Sequence, residues 1–82
     1  MKRSIFQYRR ASRYLRDWVL ARRKQDYRFS VRKWALEMGF QSPSLLSMVL
    51  NGTRNITLRQ VPMLARGLGL STAEKMFFQG LV

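Results

Sequence analysis

Arginine and lysine are the side chains through which this chain can act. Sixteen of its 82 residues are Arg or Lys, opposed by four acids, Asp17, Asp26, Glu37 and Glu74, for a net charge of +12. Histidine and cysteine are absent. Without them the chain cannot build a thiolate nucleophile, a histidine general base, a disulfide or a usual zinc site. A paired-carboxylate site would need two of the four acids to converge among sixteen cations. The expectation is therefore a protein that is not an enzyme and holds no metal or other cofactor. What the remaining groups can do is attract a polyanion, because solubility alone is served by a net charge of magnitude about 2–8. The charge is also uneven: twelve of the sixteen basic residues lie between Lys2 and Lys33, and Arg54, Arg59, Arg66 and Lys75 follow at intervals.

These cations must be positioned by a single small domain. Hydrophobic residues make up 46% of the chain, enough for one core. No stretch approaches the roughly 20 apolar residues of a membrane span, and no signal-peptide pattern opens the chain. From Tyr8 to Lys24, Ala11, Tyr14, Leu15, Trp18 and Val19 recur at helical spacing. Arg9, Arg13, Arg16 and Arg23 then project nearly opposite that stripe as a basic face, with Arg10 and Lys24 at its edges. Phe29 anchors the following loop. Ser30 reads as the N-cap of a short helix over Val31–Met38, with Trp34, Ala35 and Met38 inward. Gly39 ends it in the left-handed conformation, and Phe40 supplies the apolar contact that accompanies such a cap.

Ser42 and Pro43 open a third helix, N-cap followed by proline, with Leu45, Leu46, Val49 and Leu50 apolar and Asn51-Gly52 as its stop. Thr57 with Gln60, and Ser71 with Glu74, are capping-box patterns that begin two more helices, over Leu58–Leu68 and Thr72–Gln79. Pro62 should bend or delay the fourth helix. Met76, Phe77 or Phe78 is the buried position of the fifth. With no sustained strand alternation, the expected fold is all-α: five short helices in one domain, with the turn at Gly39-Phe40 and a loop at Asn51–Ile56.

Two short helices joined by a tight glycine turn form a helix-turn-helix unit, whose second helix enters the DNA major groove. The stretch carrying WALEMGF, NGTRN and LARGLGL resembles the Cro/C1-type, or XRE-like, helix-turn-helix domain. Trp34-Ala35 stands for the family's Leu-Ala pair and Gly39 for its turn glycine. Asn51, Gly52, Arg54 and Thr57 match its loop, and Leu64, Ala65, Leu68, Gly69 and Leu70 its following helix. Over nearly the whole chain the sequence is also similar to the N-terminal domain of a family of uncharacterised bacterial transcriptional regulators that carry a larger C-terminal domain. The shared landmarks are Phe6, Tyr8, Leu15, Phe29-Ser30, Gly39-Phe40, Ser42-Pro43-Ser44, Asn51-Gly52 and Arg54. Two departures stand out: the interval from Gly39 to Gly52 is one residue longer than in ordinary Cro/C1 domains, and Pro62 replaces a polar helix former.

The resemblance implies a compact lambda-repressor-like fold acting in the cytoplasm, at the nucleoid, on double-stranded DNA. Base edges would be met by Gln41, Ser42, Ser44, Leu45 and Ser47; glutamine can pair with adenine, whereas serine is permissive. Phosphates would be held by Arg32, Lys33, Arg54 and Asn55. Arg9, Arg13, Arg16 and Arg23 would be an accessory face. Phe77, Phe78, Leu81 and Val82 would form an apolar end for a second subunit or a C-terminal effector domain. Ser42 can equally be a simple cap, and Trp18, Trp34 and Phe40 fit core positions better than base-stacking ones. The alternative function is a basic interaction module whose arginine face docks an acidic protein or an anionic membrane surface. RNA ranks below both, since no common RNA-module signature is present. The two main readings divide on where the charge sits. DNA binding needs Arg32, Lys33 and Arg54 on a face with Ser42 to Ser47, whereas docking needs only the first helix.

Overall fold

The computed structural model describes residues 4–82; Met1, Lys2 and Arg3, two of them members of the N-terminal basic cluster, lie outside the described residues. Five α-helices run over Ala11–Gln25 (α1), Val31–Met38 (α2), Pro43–Leu50 (α3), Val61–Leu68 (α4) and Thr72–Leu81 (α5), with single 3₁₀ turns at Ile5–Gln7 and Leu58–Gln60. The described residues contain no strand, as the all-α reading requires. α2 packs on α3 and α4, α1 lies against α3, and α5 packs on α4 and on the Ile5–Gln7 turn. No helix is long and apolar enough to cross a membrane among the described residues.

The caps explain most of the boundaries. Ser30 Oγ accepts from the Lys33 N–H at 3.2 Å. Ser71 and Glu74 exchange both bonds of a capping box, at 3.2 and 2.9 Å. At the other end of α2, Gly39 takes φ 105°, and the Phe40 N–H bonds back to the Ala35 carbonyl at 3.0 Å. α4 ends the same way, with Gly69 at φ 70° and Leu70 bonded to Ala65 at 3.0 Å. In both, a backbone conformation that costs a glycine little lets an orphan carbonyl find a donor.

Four expectations need correction. α1 begins at Ala11, not Tyr8, because Arg10 is extended at φ −134° and ψ 131°. Tyr8 is instead buried beside Tyr14, and its hydroxyl donates to Asp17 Oδ2 at 2.6 Å. The fourth helix divides into a 3₁₀ turn and α4; Pro62 sits in the first turn of α4, where its missing N–H breaks no bond, so it delays the helix rather than kinking it. α5 continues to Leu81. The apolar end assigned to Phe77, Phe78, Leu81 and Val82 is largely covered. Phe78 is fully buried with its ring 6.4 Å from that of Tyr14, Phe77 meets Phe6 edge-on at 5.1 Å, and Leu81 packs against the core. Of the four, Val82 is exposed; Met76 points outward, 69% exposed.

The core is apolar throughout: no polar or charged residue among those described is buried. Leu15, Leu46, Leu64 and Phe78 bring α1, α3, α4 and α5 to one centre. Gly67 lets α4 approach α2 closely, since a Cβ there would collide with the Met38 side chain.

Tyr14 gives the fold a pH limit. Burial first, and the nearby Glu74 carboxylate second, raise its phenol above the usual tyrosine value of about 10. The folded state thus retains a proton that the unfolded chain releases. The associated stability is full below about pH 10 and is lost as pH rises through the folded value. Replacing Tyr14 with Phe should therefore make the thermal midpoint fall less than in the parent between about pH 9 and pH 11. Equal falls would assign the alkaline loss to other groups.

Candidate nucleic-acid interface

Ser42 caps α3 by accepting from the Ser44 N–H at 3.3 Å, and the two hydroxyls bond each other at 2.7 Å. Of the five side chains nominated for base contact, these two are engaged locally. Leu45 is half-buried against the core, which removes much of its surface from any partner. Gln41 and Ser47 are exposed, and their side chains make no hydrogen bond within the described residues. Met48, 37% exposed, lies beside Ser47 on the outer side of α3.

The loop after α3 is closed by Met48, whose carbonyl accepts from both the N–H and the hydroxyl of Thr53 at 3.0 and 3.1 Å. Its far end is held by Gln60, which accepts from the Thr57 N–H at 3.0 Å. Between these ties, Arg54 and Asn55 are exposed. They line a cleft of about 470 Å³ with Gly52 and with Arg10 and Ser12 of the α1 entry. Arg10 was legible only as the edge of a helical face. Its partnership with Arg54 joins residues more than forty positions apart, and no local spacing reveals it.

α1 meets α3 on the other side of the same loop. Arg16 Nε and Nη2 both donate to the carbonyl of Leu50, the last residue of α3, with Nε at 3.0 Å. A cation is thereby fixed where the α3 dipole is negative and its carbonyls lack helical donors. Next to this clamp a cleft of about 540 Å³ is lined by Arg16, Arg23, Leu20, Ser47 and Asn51, among others. Val31 lines it too, which sets the first turn of α2 beside α3; Arg32 and Lys33, the next two residues, are exposed. Arg13 of α1 and Arg9, which precedes the helix, lie around a third depression with Gln7, Tyr8 and Arg10. At Arg16 and Arg23 the arginines of α1 are thus continuous with the α2–α3 pair.

Among the described residues no Arg or Lys forms an ion pair with an acid. Three arginines have other partners: Arg16 on Leu50, Arg22 over the Phe29 ring at 5.8 Å, and Arg28 over the Tyr27 ring at 5.6 Å. No group of three or more acids that could hold a metal ion occurs among the described residues. Compared with family models, curated proteins and solved structures, the chain matches none.

The clamp carries a stability consequence opposite in sign to its charge. Removing a positive charge from a chain at +12 should relieve repulsion, so Arg13→Ala should be neutral within about 0.5 kcal/mol or stabilising. Arg16→Ala should instead cost about 1 kcal/mol in urea unfolding, through the two lost bonds to Leu50. Equal behaviour of the two variants would mean that the clamp contributes nothing in solution.

Proposed function

We propose that the chain binds double-stranded DNA as the nucleic-acid-binding module of a bacterial transcriptional regulator of the Cro/C1 helix-turn-helix kind, in a lambda-repressor-like arrangement. The observation that carries this reading is the pair of basic clefts flanking the C-terminal end of α3: Arg10 with Arg54 and Asn55 on one side, Arg16 and Arg23 with Ser47 on the other. A helix of eight residues is about 12 Å long, and the major groove is about 12 Å wide. Phosphates on either wall of a groove occupied by α3 would meet the two clefts. Gln41 and Ser47, exposed and uncommitted, are the side chains free to meet base edges; Ser42 and Ser44 hold the start of the helix. Arg32 and Lys33 extend the contact along the first turn of α2. The absence of Arg or Lys from Gln41 through Ser47 fits affinity that is mainly electrostatic, with modest base discrimination.

The domain spans 28 × 27 × 22 Å, less than one turn of duplex at about 34 Å. One copy would therefore read a single short site.

Selection from a random duplex pool, with single-stranded RNA as competitor, followed by binding measurements at several salt concentrations, tests the reading. If about 6–10 phosphates are engaged, affinity should fall by about 10³–10⁵ between 50 and 200 mM salt. Arg54→Ala should weaken binding nearly equally on all sequences and lower the log–log salt slope by about one unit, whereas Gln41→Ala should change the preferred sequence. Arg10→Glu and Arg23→Glu should also lower the slope, because each replaces a cation lining one of the clefts. Weak duplex binding at 50 mM salt beside tight binding to an acidic protein or anionic vesicles would replace this reading with the docking one.

A further inference from the structure

Away from α3, the indole rings of Trp18 and Trp34 stack with centroids 4.7 Å apart and planes 15° from parallel. Phe29 closes the group, edge-on to Trp18 at 6.0 Å and tilted against Trp34 at 5.6 Å. Over these rings lies a pocket of about 570 Å³, within the size range of small-molecule sites at about 300–1,000 Å³. Its charged lining is two arginines from different helices, Arg22 of α1 and Arg66 of α4, with Glu37 of α2. Arg22 stands over the Phe29 ring, so it sits on the aromatic side of α1 and apart from the basic face of that helix.

Three features specify what such a pocket can take. Its charges sum to one net positive, which matches a monoanion held at the two arginines, away from Glu37. Apart from those charged groups and the indole N–H groups, the lining has no polar side chain, so nothing is provided for a sugar or another hydroxyl-rich body. Trp34 Nε1 is a donor without a hydrogen-bond partner among the described residues, yet it is not sealed from solvent. It lies on the Gly67 side of the pocket, 3.4 Å from the point a Cβ at Gly67 would occupy.

We propose that the pocket between α1, α2 and α4 binds a small planar aromatic carboxylate, its ring against the Trp18–Phe29–Trp34 group and its charge answered by Arg22 and Arg66. No residue of the two clefts beside α3 lines this pocket, so the proposal stands or falls independently of duplex binding.

The chain has two tryptophans, both lining the pocket, so its two indole N–H signals in a ¹⁵N-labelled sample report this site directly. Titration with indole-3-carboxylate should move both along one saturable curve, with a Kd below about 1 mM. The uncharged indole-3-carboxamide should bind at least about tenfold more weakly. Arg66→Gln, at an exposed position, should weaken carboxylate binding at least about fivefold while leaving the ligand-free spectrum in place, and Arg22→Gln should weaken it by as much. Absence of saturable movement at about 5 mM carboxylate would overturn the proposal. So would equal binding of carboxylate and carboxamide, undiminished binding by both variants, or tighter binding of adenosine monophosphate, which would make it a nucleotide pocket.

Discussion

Sixteen arginines and lysines opposed by four acids repel one another across a body only 28 × 27 × 22 Å, where most charges lie within a few Debye lengths of about 8 Å. The ordinary remedy, an acid beside each cluster, is not used. Asp17 accepts from Tyr8, Asp26 accepts from the Arg28 N–H at 3.0 Å, and Glu74 caps α5. Three of the four acids thus serve hydrogen bonds rather than ion pairs, and the fourth, Glu37, lines the aromatic pocket. Cohesion has to come mainly from apolar packing, and the core, without a single buried polar residue among those described, is consistent with that division of labour. Stabilising terms lie inside and the repulsive field lies outside, available to a partner.

Much of the fold was legible because its signals are local. Ser30, Gly39, Ser42-Pro43, Ser71 and Glu74 act within one helical turn, and each cap falls where its residue type demands. Misreadings arose where a local pattern competes with a distant contact. Tyr8 continues the apolar spacing of α1 but is taken out of the helix by burial beside Tyr14 and by its bond to Asp17. Phe78 looks like part of an exposed end until the side chains of α1 and the Ile5–Gln7 turn cover that face of α5.

The candidate site divides in the same way. Capping by Ser42 is a sequence-level property, and so is the exposure of Gln41 and Ser47. Pairing of Arg10 with Arg54, and of Arg16 with the end of α3, depends on how α1 crosses the loop after α3, which no periodicity encodes. The helical wheel set the first-helix arginines apart from α2 and α3 because a wheel shows one helix without its neighbours. Once α3 is docked, the boundary of the basic face becomes the boundary of the α1–α3 cleft. Arg22, four residues after Trp18, falls on the other side of the same wheel and belongs to the aromatic pocket.

The left-handed cap at Gly39 also bears on motion. Because the Phe40 amide is bonded to Ala35 and its ring is buried, protection from hydrogen exchange should extend past the last residue of α2 and into the turn. Only Gln41 then separates this bonded segment from the Ser42 cap of α3. A turn so short and so tied leaves little backbone to act as a hinge, and α2 and α3 should open together, as one cooperative unit, or not at all. Whatever the outer side of α3 meets, it meets a preformed surface, and the encounter is spared the entropy of ordering it.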